Sequence, residues 1–270
     1  MATPTKITRV LVLHGYSQNA SVFSKRLGAL RKQCGKGVEF YFLDAPIVLQ
    51  PEDLEGFSSN PQGTLEALGS STDPSVIPRG WFRVNKERTQ AFGLEDTLLH
   101  IRDLLVKEKF DGIFGFSQGA CIAALLAALL ERPDVYPPFL VDGQAPHPPF
   151  EFCIAAAGFK LTFPLGEQIF GDSYATPTLH IIGLADTIVS PERSRTLVEI
   201  SQKKRVEEHD GGHFVPSKAN WRRFLKEYLT NPTGDVASPG THLLDTPMAS
   251  APGSGASTPF TAEANGGSAA

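Results

Sequence analysis

Ile113-Phe114-Gly115-Phe116-Ser117-Gln118-Gly119-Ala120-Cys121-Ile122-Ala123-Ala124-Leu125-Leu126-Ala127-Ala128-Leu129-Leu130 is the stretch whose reading decides the fold. Its first four residues are apolar and follow Asp111-Gly112, which predicts a short buried strand from Ile113 to Phe116. Gln118 to Leu130 is rich in Ala and Leu and apolar nearly all round, the pattern of a helix enclosed by the rest of the fold. Ser117 lies between the two, inside Gly115-Phe116-Ser117-Gln118-Gly119. In a chain with 25 glycines the Gly-x-Ser-x-Gly spacing alone is weak evidence, and its place at a strand-to-helix junction gives it meaning. A serine there is held in a sharp, strained bend, and small residues two before and two after it let strand and helix approach closely. Ser117 then projects above the sheet at the start of a helix whose dipole favours developing negative charge. The bland alternative is a glycine-rich turn carrying a passive serine.

Outward from this junction the same alternation repeats. Val10–Leu13, Phe40–Leu43, Phe152–Ala157 and Leu179–Ile182 are short apolar runs bounded by Gly, Asp, Pro or charged residues, and each reads as a buried strand. Leu94, Leu98, Ile101 and Leu105 recur at helical spacing, as do Trp221, Phe224, Leu225, Tyr228 and Leu229. Strands alternating with helices predict an α/β class with a mostly parallel sheet covered by helices on both faces. In such sheets sites form beyond the carboxyl ends of the strands. Residues 45–79 and 133–150 break the pattern with Pro, Gly and Ser, and loops of this length serve as lids or binding walls about as often as plain surface excursions. After Asn231 the chain turns to Ala, Gly, Ser, Thr and Pro without Lys or Arg, so residues 6–230 are expected to form one domain and residues 231–270 a disordered low-complexity tail.

A serine hydroxyl is a poor nucleophile at neutral pH, and Ser117 therefore requires an imidazole base oriented by a carboxylate. His213 lies in His209-Asp210-Gly211-Gly212-His213-Phe214, a glycine turn before the last amphipathic helix. Asp186 lies in Gly183-Leu184-Ala185-Asp186, just past the strand Leu179–Ile182. The chain order Ser117, Asp186, His213 is that of an α/β-hydrolase triad, and each residue falls beyond a strand on the same sheet edge. Asp142, Asp172 and Asp210 are rival acids that follow no strand as cleanly. Two backbone donors must also hold the oxyanion. Gln118 supplies one amide, and the loop Leu13-His14-Gly15-Tyr16-Ser17-Gln18-Asn19 the second, Tyr16 being the first choice and Ser17 the next.

His100 falls off its helix's apolar stripe, His180 sits within a strand, and His147 and His242 lie in Pro-rich or disordered surroundings, so all four read as structural. His209 and His213 have metal-ligand spacing, but Gly211 and Gly212 oppose a helix and no third ligand is near, so no metal and no cofactor is expected. Twenty-five basic against 29 acidic residues, without long runs of one sign, gives no reason to expect nucleic acid or an anionic membrane. Cys34, Cys121 and Cys153 are far apart, which suits a reducing compartment. Residues 1–10 lack the apolar core of a signal peptide, and the longest apolar run, Ala120–Leu130, is too short to span a bilayer, so a cytoplasmic location is expected.

Six separated segments, Leu13 to Asn19, Leu43-Asp44-Ala45-Pro46, Gly80-Trp81-Phe82, Gly115 to Gly119, Gly183-x-x-Asp186 and Gly212-His213-Phe214-x-Pro216, together resemble a family of serine hydrolases that includes fungal esterases and the human ovarian cancer-associated gene 2 protein. The resemblance spans about residues 6–230. It implies an α/β-hydrolase fold, a Ser117, Asp186, His213 triad and carboxylic ester hydrolysis, with polyketide release from a synthase by thioester hydrolysis in some fungal members. Ala157-Gly158-Phe159 stands where the family usually has Ser-Gly-Phe, which touches only a pocket contact. The expected reaction is hydrolysis of a small-molecule acyl ester through an acyl-enzyme. Phe57, Trp81, Phe82, Phe116, Phe159 and Phe163 are candidates to wall an apolar acyl site, each with an equal claim to a core role. The alternatives are a thioesterase serving a polyketide synthase or acyl carrier, and a non-catalytic ligand-binding protein on the same scaffold.

Overall fold

The computed structural model describes residues 6–54, 77–85 and 89–240 of the chain. In chain order the main elements are β1 (Thr8–Leu13), α1 (Ala20–Arg26), α2 (Gly28–Cys34), β2 (Val38–Leu43), β3 (Ile47–Val48), β4 (Arg79–Gly80), β5 (Arg83–Val84), β6 (Ala91–Phe92), α3 (Leu94–Lys107), β7 (Gly112–Phe116), α4 (Gln118–Glu131), β8 (Phe152–Ala156), α5 (Pro164–Phe170), β9 (Thr178–Gly183), α6 (Pro191–Glu199), β10 (Lys204–His209) and α7 (Ala219–Thr230). Six strands form one sheet in the order β10-β9-β8-β7-β1-β2, and every neighbouring pair is parallel. β3 with β4 and β5 with β6 make two short antiparallel pairs beside it.

Alternation along the strands divides the core. Leu11, Leu13, Ile113, Cys153 and Ala155 pack into a cluster with Leu94, Leu98, Ile101 and Leu105 of α3 and the apolar residues of α4. Val10, Val12, Phe114, Phe116, Ile154, Leu179 and Ile181 point the other way, against Phe23 of α1, Leu30 of α2 and Trp221, Phe224 and Leu225 of α7. The sheet thus carries helices on both faces, as the strand and helix patterning predicts. Every residue of α4 from Gln118 to Leu130 is buried, which explains why its sequence shows no polar stripe.

Three features differ from the sequence reading. β10 reads Lys-Arg-Val-Glu-Glu-His and lies at the sheet edge, where charged residues are tolerated and discourage pairing with other chains, so it carries no apolar signature. The strand expected over Phe152–Ala157 stops at Ala156, because Ala157 takes φ +50° and turns the chain. Residues 231–240, beyond the boundary suggested by composition, pack on the domain: the Ser238 hydroxyl donates to Glu207, Asn220 donates to the Pro239 carbonyl, and Val236 is buried. Residues 241–270, like Phe57, lie outside the described residues.

Candidate active site

The parallel register brings Leu13 of β1 beside Leu43 and Gly115, and Phe116 beside Ala156, so the strands end along one edge. The segments that follow, His14–Asn19, Ser117, Ala157–Phe159, Leu184–Val189 and Asp210–His213, converge above it. At the β7–α4 junction Ser117 has φ 54° and ψ −120°, a conformation non-glycine residues rarely adopt, and its amide donates to the Ala156 carbonyl at 2.8 Å. The flanking glycines permit it. A Cβ on Gly115 would lie 2.2 Å from the Gly119 carbonyl oxygen, and one on Gly119 would lie 2.4 Å from the carbonyl oxygens of Leu13 and His14. Strand, helix and β1 are therefore packed backbone to backbone around Ser117.

Loops after β9 and β10 carry the partners and are tied to each other: the Leu184 amide donates to the His209 carbonyl and the Ala185 amide to that of Gly211. His213 Nε2 lies 2.9 Å from Ser117 Oγ, and its Nδ1 lies 2.7 Å from Asp186 Oδ2. Asp186 Oδ1 accepts from the Ile188 and Val189 amides at 2.8 and 2.9 Å, which fixes the carboxylate in place and satisfies it although its side chain is 1% exposed. The Phe116 ring stands 4.8 Å from the imidazole. The rival acids take no part in this chain, and Asp142 instead occupies a turn at φ 52°. His209 accepts from the Gly211 amide and packs against Phe214 and Trp221, a role within its own loop.

In the loop after β1, the Ser17 amide donates to the Arg79 carbonyl at 3.0 Å. That bond engages the amide of the second-choice oxyanion donor within the fold. The Tyr16 hydroxyl donates to the Asp53 carbonyl, and burial pushes its pKa up to about 12. No thiolate competes with Ser117: all three cysteines are buried, which pushes Cys34 up to about 11 and Cys121 and Cys153 up to about 12.

Residues 2–225 match the serine hydrolase (FSH1) family. The chain belongs to the FSH1 serine hydrolase family. It is 32% identical over 232 residues to esterase OVCA2 of Danio rerio, covering 82% of this chain and 96% of that one. It is 33% identical over 246 residues to a Schizosaccharomyces pombe protein named dihydrofolate reductase, 90% of this chain but 51% of that relative, so it spans about half of the longer protein. Among solved structures, acyl-protein thioesterase 2 of Zea mays superposes with a TM-score of 0.54 at 18% identity, covering 87% of this chain and 97% of that one, a likeness of fold.

In this FSH1-family hydrolase the aromatic residues expected to wall an acyl site are mostly core. Trp81 is 0% exposed and donates its indole N–H to the His14 carbonyl at 2.7 Å, so it braces the loop after β1. Phe82 is buried against Phe163, and Phe116 stacks on Phe23. Phe159, also buried, lies under the Arg193 guanidinium, 3.8 Å from ring centroid to carbon. The sequence reading missed the side chain of Gln118. Its Oε1 accepts from the Trp81 amide at 2.8 Å and its Nε2 donates to the Phe82 carbonyl at 2.7 Å, clamping the 80–82 segment onto the elbow. It also missed the exposed apolar residues Leu184, Ile188 and Phe214, which flank Asp186 and His213. Isolated apolar residues in a loop give no periodic signal, and only the fold shows that these three are exposed.

Proposed function

We propose that this serine hydrolase cleaves carboxylic esters of apolar acyl chains through Ser117, His213 and Asp186, by way of an acyl-enzyme. The observation that carries this reading is the unbroken hydrogen-bond line from Ser117 Oγ through both ring nitrogens of His213 to Asp186. The Asp186 carboxylate, held by two amides, accepts a hydrogen bond from His213 Nδ1–H, which leaves Nε2 with a lone pair directed at the serine hydroxyl. As Oγ attacks the ester carbonyl, Nε2 takes the hydroxyl proton, and the imidazolium forms beside the carboxylate that stabilises it. The Gln118 and Tyr16 amides hold the oxyanion. Collapse transfers the proton from Nε2 to the departing alkoxide, giving an alcohol and acylated Ser117. Water, deprotonated by the same nitrogen, then releases the acid and restores Oγ–H.

Leu184, at 51% exposure, Ile188, at 54%, and Phe214, at 49%, border these groups and favour an apolar substituent over a charged one. Steady-state kinetics on matched oxygen esters and thioesters of increasing acyl length test the proposal. The expected result is a kcat/KM that rises with acyl length and falls by about 10³-fold or more in both Ser117→Ala and His213→Ala. Esterase activity unaffected by His213→Ala would overturn it.

A further inference from the structure

His14 stands beside the site with both ring nitrogens engaged, and the described mechanism gives it no part. It is 1% exposed, and burial lowers its pKa to about 4, so the ring is neutral near pH 7. Its Nε2 lies 3.0 Å from the Ala45 amide nitrogen, whose proton it must accept, since a backbone N–H only donates. The single proton of the neutral ring is thereby assigned to Nδ1, which lies 2.8 Å from the Gly15 carbonyl oxygen and donates to it. That carbonyl also accepts from the Gln18 amide at 3.2 Å.

The Gly15 carbonyl and the Tyr16 N–H belong to one peptide unit. The unit is planar and trans, so the direction of the carbonyl fixes that of the N–H on the opposite side. Two donors on the carbonyl oxygen also polarise the unit and strengthen its N–H as a donor. We propose that His14 is a positioning residue: its Nδ1–H···O=C bond to Gly15 sets the plane of the Gly15–Tyr16 peptide and so aims the Tyr16 amide at the oxyanion. His14 touches no reacting atom. The bond to Ala45 fixes the tautomer and the ring, and the indole of Trp81, 5.1 Å away between ring centroids and bonded to the His14 carbonyl, closes the other side. This inference rests on the proposed role of Tyr16 as an oxyanion donor.

Two substitutions separate the two bonds. Asparagine places its amide near the Nδ1 position and can keep the donor to Gly15 while losing the acceptor for Ala45. Glutamine reaches the Nε2 position and can keep the acceptor for Ala45 while losing the donor to Gly15. In hydrolysis of a model acyl ester, His14→Gln is expected to lower kcat by about tenfold or more, less than the ~10²–10³ cost of deleting a donor outright, with KM within about twofold of wild type. His14→Asn is expected to keep kcat within about threefold of wild type even where its melting temperature falls. Unchanged kcat in both variants, or losses that follow melting temperature and not the Gly15 bond, would overturn the role of His14. Ser117→Ala in the same assay keeps the two questions apart: if it hydrolyses the ester as fast as wild type the triad reading itself fails, and if it is inactive the His14 outcomes stand alone.

Discussion

Ser117 combines two properties that pull against each other, an unfavourable backbone and a hydroxyl in hydrogen-bonding contact with an imidazole. The strain has a measurable signature. Ser117→Gly and Ser117→Ala both remove Oγ, but only glycine relaxes φ 54°, so the glycine variant is expected to be more stable than the alanine variant by on the order of 1 kcal/mol in urea unfolding. Asp186 offers a sharper test of the chemistry. In Asp186→Asn the amide oxygen can still accept from Ile188 and Val189, which turns the NH2 group toward His213 Nδ1. The imidazole must then accept at Nδ1 and carry its proton on Nε2, where it can no longer take one from Ser117. The expected loss is about 10³–10⁴ in kcat at unchanged fold, read by steady-state kinetics beside a melting curve. Near-normal turnover would remove Asp186 from the mechanism.

At the scale of elements, the site depends on how closely β7, α4 and β1 approach, and the glycines set that distance. Gly119→Ala would drive its methyl into the carbonyls of Leu13 and His14, which are backbone and cannot rotate aside. The expected cost is on the order of 2–4 kcal/mol, measured by denaturant unfolding, with activity lost along with the displaced elbow. A variant as stable and active as wild type would show that the junction is not tightly constrained. These central elements were legible in sequence because burial on both sides leaves an uninterrupted apolar record: β7, α4 and the stripe of α3 can be read residue by residue. β10 was not legible, because an edge strand of Lys204, Arg205, Glu207 and Glu208 resembles a solvated loop. The grouping of Ser117, Asp186 and His213 was legible through chain order and, for Ser117 and Asp186, through the strands they follow, whereas the strand before His213 and the clamp made by the Gln118 side chain were not. Nothing in a lone glutamine reveals that its amide fits between the Trp81 N–H and the Phe82 carbonyl until the 80–82 segment is folded over it.

Across the whole molecule, histidines kept neutral by burial link stability to pH. Burial lowers the pKa of His14 to about 4 and that of His180 to about 3, and it also lowers His147 and His209. In the unfolded chain these groups protonate around 6.5, so below that pH the unfolded state binds more protons and gains on the folded one. Their contribution is complete above about pH 6.5 and is lost progressively as pH falls toward about 4 for His14 and about 3 for His180. Melting temperatures between pH 4 and 8 are therefore expected to fall on the acid side, and a flat profile would contradict the burial of these rings. The decisive measurement is of the intact chain after reaction with a fluorophosphonate, by mass spectrometry with peptide mapping. The expected result is a single phosphonyl adduct on the peptide containing Ser117, absent from Ser117→Ala. An adduct on another residue, or equal labelling of Ser117→Ala, would contradict the assignment of Ser117 as the nucleophile.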